Sequence, residues 1–228
     1  MPFASAGYAP ATGAPADGSL VITGTFNGWN IVALPSAPGL RSVDWTMNDS
    51  VDPETSPFSR ITQIQDWMAD WWEGQASFPP MPRSQAAAVI AWLGELRGMG
   101  GVFYLGDPLG RIPQGMAQGV PLVNGANASE ATSLLTRGWA PSKFGLLMPG
   151  DYVQIGVRLH LALDRVDSDS SGGATINIWP RIREAQSDGA PVIVSNAKGL
   201  MRLSGNARKY STNETRLIAV SFEFEEAR

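Results

Sequence analysis

The chain has 228 residues, no cysteine, one histidine and a net charge of −4. The missing cysteines exclude disulfides, thiolate metal sites and cysteine nucleophiles, and the weak acidity argues against nucleic acid or an anionic membrane as partner. Charged residues make up only 17 % of the chain, and 25 Gly with 17 Pro point to many turns and short strands rather than a helical bundle.

Residues 1–19 are rich in Ala, Gly, Pro and Ser and carry one charge, Asp17. They are expected to form a flexible arm, since they hold too little apolar surface to offset their own ordering entropy. They lack the basic start and apolar run of a signal peptide, and no apolar stretch approaches the ~20 residues that cross a bilayer. The expectation is a soluble protein made in the cytoplasm.

"SLVITGTF" (19–26) predicts a first strand and Asn27–Gly28 a tight turn. "SVDWTM" (42–47) alternates as a second strand. In 60–72, Ile61, Ile64, Trp67, Met68, Trp71 and Trp72 fall at helical spacing, yet Trp72, Gly74, Ala76 and Phe78 alternate as in a strand. A hairpin turning near Met68–Asp70 reconciles the two.

The clearest element is a helix over about 82–97. Pro82 suits its first position, and Val89, Ile90, Leu93 and Leu96 form an apolar face that Trp92 widens. Gly98 sits where a left-handed stop is needed, after Arg97, whose charge suits the helix's negative end. "GGVFYLGDP", with Phe103, restarts as a strand.

From about residue 116 a second set of β signals follows. "GDYVQIG" (150–156), "RLHLALDRV" (158–166) and "ATINIW" (174–179) read as strands, the last two joined by the turn "DSDSSGG". "PVIV" (191–194), "LMRLS" (200–204) and "RLIAVSFEFEE" (216–226) complete the run. In the last, Ile218, Val220, Phe222 and Phe224 face one way and Glu223 and Glu225 the other.

Few motifs carry chemistry. "DSDSSG" begins like a calcium loop, but the twelfth position, which needs a bidentate Glu, is Ile178. His160 shares the Arg158/Ala162 side of its strand and reads as a solvated or interface imidazole. No "GxSxG" elbow offers it a serine, and "RGMGG" follows a helix and lacks the lysine of a phosphate loop. Trp29, in "FNGWN", could stack on a sugar, as an indole does in starch-binding β-domains. The carboxylates Glu54, Asp66, Asp70 and Glu73 read as solvated turn residues, not a hydrolase pair. No cofactor, metal or catalytic residue is expected. Trp67, Trp71, Trp72 and Trp92, with Phe103, are candidates for the core or for a subunit interface.

Across 43–108 the order W-T-M, SPF, Q-x-Q-D-W, W-W-E, PPM-x-R-x-Q-A, A-W-L, LRG, then GDP resembles tail proteins of long-tailed, siphovirus-like bacteriophages. "PLVNGA", "GDYVQIG", "SDSSGGATINIWPRIR", "MRL" and "SFEFEEA" extend the likeness over nearly all the chain after residue 40. The resemblance is to the distal tail protein family. It implies a β-sandwich with one packed α-helix, from residues 20–115 plus 200–228, and a second small β-barrel or sandwich domain inserted at 116–199. It also implies a virion structural protein that assembles with itself as a ring, in that family usually a hexamer. Its partners would be the tail tube, tape measure and baseplate hub proteins, with no nucleic acid and no membrane. A carbohydrate-binding β-domain, with Trp29 as the sugar contact, is the alternative.

Overall fold

The structure, a computed structural model, describes residues 22–212 and 216–228, so the N-terminal arm expected over 1–19 lies outside the described residues. The fold is mainly β with one α-helix, as expected. In chain order the strands are β1 (Ile22–Phe26), β2 (Trp29–Val32), β3 (Ser42–Asn48), β4 (Val51–Thr55), β5 (Thr62–Asp66) and β6 (Trp71–Ser77). After α1 (Arg83–Glu95) come β7 (Val102–Leu105), β8 (Gly119–Val123), β9 (Ser133–Trp139), β10 (Tyr152–Ile155), β11 (Arg158–Ala162) and β12 (Ala174–Trp179). The last four are β13 (Val192–Ile193), β14 (Gly199–Leu203), β15 (Tyr210–Thr212) and β16 (Ile218–Glu226).

Two large sheets result. The first runs β1-β2-β7-β14-β16-β6-β3, with β15 also on β16; the second runs β13-β10-β11-β12-β9-β8. The chain leaves the first sheet after Leu105 and re-enters at Gly199, which is the direct cross-strand partner of Leu105. Everything that builds the second sheet thus lies between two residues that face each other in the first.

The sequence explains the local choices. Asn27 and Gly28 both take positive φ, 48° and 82°, the pairing that lets a two-residue turn follow strand twist. The central strand β16 alternates cleanly: Ile218, Val220, Phe222 and Phe224 are buried while Glu223 is exposed. Gly74 lies where β3 approaches most closely, since a Cβ there would sit 2.1 Å from the Asp44 carbonyl oxygen.

The helix packs on the same face. Ala86, Val89, Trp92, Leu93 and Leu96 are buried, and the Trp92 ring meets Phe103 and Phe222 edge-on at 5.1 and 5.2 Å. Its ends differ from expectation. Pro82 is the extended residue before the helix (φ −65°, ψ 158°) rather than its first turn, and the helix closes by Leu96. Gly98 takes the expected left-handed conformation (φ 74°), but Arg97 is already left-handed before it (φ 50°), so its charge lies outside the last turn.

Two further readings are corrected. Strands β5 and β6 do not pair: β6 lies between β3 and β16, and among the described residues β5 pairs only β4. The hairpin turns at 56–61, not at Met68–Asp70, where the chain bends from one sheet to the other around Met68 (φ 55°). His160 is not solvated but 3 % exposed, and its Nδ1 lies 2.7 Å from the Pro180 carbonyl oxygen. Its side of β11 is covered by the 180–184 segment, a contact far apart in sequence.

Burial pushes the His160 imidazole down from 6.5 to about 4, with the nearby Arg158 and Arg183 adding to the effect. The unfolded chain therefore takes up a proton that the folded one refuses. Stability from this site is complete above about pH 6.5 and is lost as pH falls towards 4, by roughly 3 kcal/mol at most. Denaturant titrations at pH 7 and pH 4.5 should show that loss, and His160→Asn should flatten it. In the core, Trp92→Ala should cost about 3–5 kcal/mol. Trp92→Phe should cost much less, because it keeps the edge contacts and removes an indole N–H that has no hydrogen-bond partner among the described residues.

Candidate interaction surface

The third sheet is only two strands, β4 and β5, and it stands apart from the others. Every residue of β4 is exposed, and all of β5 except Asp66. A lone two-stranded ribbon is at best marginally stable in water, so its persistence needs local explanation. At the tip, Ser56 N–H donates to the Ile61 carbonyl and Arg60 N–H to the Ser56 carbonyl. At the base, Trp67 N–H donates to the Ser50 carbonyl, closing residues 50–67 into one arm.

Directly opposed residues in an antiparallel pair share a face. The register pairs Val51 with Asp66, Pro53 with Ile64 and Thr55 with Thr62; the alternate residues pair Asp52 with Gln65 and Glu54 with Gln63. One face therefore carries the strands' apolar residues, Val51, Pro53 and Ile64, with Asp66 at its base and Thr55 and Thr62 towards the tip; the other is wholly polar and acidic. Yet Val51 is 51 % exposed, Ile64 69 %, Ile61 66 % and Phe58 97 %. Trp67 and Met68 at the base are also more than half exposed.

The arm is held at a definite angle by the second sheet. Arg181 pairs through Nη2 with Asp66, and through Nε with Asp70 at 3.2 Å. Arg183 Nη2 donates to the Asp70 carbonyl at 2.7 Å, and Trp179 Nε1 donates to the Asp49 carboxylate at 2.7 Å. The Arg181 bond and the Met68 N–H together hold the Asp66 carboxyl below its ordinary range, and Asp66 in turn raises Arg181. Asp49, Asp66 and Asp70, scattered in sequence reading, are brought together at the arm's root by residues 179–183.

The predicted site aromatics disperse. Trp72, Trp92 and Phe103 are buried, 2 %, 0 % and 0 % exposed. Trp72 binds the two sheets: its Nε1 donates to the Leu159 carbonyl at 2.8 Å and its ring meets Trp179 edge-on at 4.6 Å. Trp71 is half-buried beneath the Arg228 guanidinium, 4.8 Å from its ring centre. Trp67 alone of these joins the exposed arm. Trp29 is 55 % exposed with its indole against Gly100, and makes no aromatic ring contact among the described residues. Glu54 lies on the arm's acidic face and Glu73 accepts from Asn48 Nδ2 at 2.9 Å, so the four carboxylates considered for hydrolysis do not converge. Helical spacing places Ile61 and Ile64 on a helix face; the signal for the ribbon that carries them and Phe58 is the alternation of 51–55 with 62–66 around "SPFSR".

A second exposed apolar group lies at the loops beside the second sheet. Phe144 is 75 % exposed, Ile112 79 % and Met116 58 %, and Met116 N–H donates to the carbonyl of Gly145, next to Phe144. No group of three or more metal-ligating side chains and no helix long and apolar enough to cross a membrane occurs among the described residues. No protein-family model matches the chain, and no curated protein is similar to it.

Arg181→Ala should free the arm without unfolding the molecule. Hydrogen exchange of amides 49–70 should quicken at least tenfold, while the two sheets keep their protection.

Proposed function

We propose that this protein is a structural assembly subunit whose arm, residues 50–67, is a contact element for other protein chains. The observation that carries the reading is the arm itself: an amphipathic ribbon with its apolar face uncovered and its root clamped by two arginines and an indole. A clamped, exposed apolar ribbon is suited to a rigid contact, because little ordering entropy remains to be lost on binding. Large exposed apolar side chains set close together mark interaction surfaces more often than they occur by chance on a monomer.

The motif order that resembles distal tail proteins of long-tailed phages narrows the assembly to a homo-oligomeric ring at the tail tip. In that reading the ring, hexameric as is usual in the family, joins the tail tube to the baseplate hub and has no catalytic role. Closure of a ring requires two different surfaces per subunit, a donor and an acceptor. The arm serves as donor.

Light scattering should return a mass of several copies, and negative-stain images should show rings. Ile61→Asp with Ile64→Asp should lower the mass to that of one chain with little change in melting temperature, since both side chains are exposed. A wild-type protein that stays monomeric at high concentration overturns the assembly reading.

A further inference from the structure

Resting on that reading, we propose that the acceptor for the arm is the groove across β16, between the end of β6 and β15, and that its occupant is the arm of a second copy of this chain. The groove has a volume of about 580 Å³ and lies open to solvent. Its floor is apolar: Phe78 and Val220 are buried there, with Phe78 N–H donating to the Val220 carbonyl at 2.9 Å. Its rim carries three cations, Arg41, Arg208 and Lys209, and among the described residues no carboxylate lines it. Arg208 is partly engaged, donating through Nη1 to the Leu93 carbonyl at 2.9 Å. None of the three makes a salt bridge among the described residues.

In a chain of net charge −4, three unneutralised cations around one apolar floor are a local reversal of sign. Such a rim selects an anionic partner and repels the protein's own cationic regions. The acidic face of the arm supplies the complement, while the arm's one cation, Arg60, lies in the tip turn away from that face's strands. Asp52 and Glu54 share one face of the ribbon, two residues apart, and neither is in a salt bridge among the described residues. Phe58 at the tip, 97 % exposed, offers a large apolar side chain for the floor, and an aromatic ring near Arg41 or Lys209 gains a cation–π contact as well. Asp49, Asp66 and Asp70 are already held at the root, so Asp52 and Glu54 are the carboxylates left for a neighbour.

Strand β15 strengthens the placement. Among the described residues it pairs only with β16, and all three of its residues, Tyr210, Ser211 and Thr212, are exposed. Its second edge can extend the sheet onto an incoming strand, adding main-chain hydrogen bonds to the charge match. The contact is head to tail, as ring closure demands.

Two charge-reversed proteins test the pairing, one altered in the groove (Arg41→Glu, Lys209→Glu) and one in the arm (Asp52→Lys, Glu54→Lys). All four positions are at least partly exposed, and near-UV circular dichroism checks that each variant folds. Each alone should self-associate at least tenfold more weakly than wild type by light scattering. Mixed in equal amounts they should regain the wild-type mass, because each variant's arm then matches the other's groove. If the groove variant assembles like wild type while Ile61→Asp/Ile64→Asp does not, the acceptor lies elsewhere and the assembly reading stands. If both variants disperse but the mixture does not recover, the groove holds something other than the arm and the pairing is overturned. If Ile61→Asp/Ile64→Asp also leaves the mass unchanged, the parent reading fails.

Discussion

The seam between the two large sheets governs this molecule. Trp72 sits on the first sheet and is satisfied by the second, through the Leu159 carbonyl and the ring of Trp179. Beside it Arg158, buried on β11, reaches across to Glu226 on β16 at 3.1 Å and to the Ala227 carbonyl, while Glu184 accepts from its outer side at 2.6 Å. Burial opposes the Arg158 charge, but its two carboxylates outweigh that, and the guanidinium is held above its ordinary value. Glu226 is pushed up by burial in spite of its partner. A charge group of this kind contributes little net stability when compared with apolar packing, but losing one partner would strand a buried charge. Its main effect is geometric: it permits one arrangement of the sheets.

That arrangement is what gives the arm a direction. The residues that grip the arm's root are Trp179, which ends β12 and is also part of the seam, and Arg181 and Arg183 just after it. The same short segment therefore packs the sheets and aims the ribbon. An amphipathic hairpin left to itself would fold its apolar face back onto the body or fray. Here the carboxylates at its base are held by cations on another sheet, and Val51 and Ile64 stay in solvent.

The placement of charge follows the same economy. The buried Arg158 and the partly buried Arg181 and Arg202 are matched by carboxylates within the chain. Asp52 and Glu54 on the arm and Arg41, Arg208 and Lys209 at the groove across β16 make no salt bridge among the described residues. Matched charges orient the fold, and unmatched ones remain available to other molecules.

Much of this was legible in the residues alone. The alternation of 218–224, the Asn-Gly turn and the apolar stripe of 89–96 identify their elements because each obeys a local period, and periodicity survives without knowledge of neighbours. The mainly β architecture with one helix follows from the same patterns. What the sequence could not determine was which patterned segments meet. His160 lies on a side of β11 that looks open until residues 180–184 cover it. The ribbon of 51–66 was hidden because its apolar residues alternate as though buried, and Trp71 and Trp72 next to it invited a pairing that β3 and β16 take instead. Burial and pairing are decided by contacts between residues distant in sequence, 20 positions for His160 and Pro180 and 87 for Trp72 and Leu159, and those contacts exist only once the chain has closed.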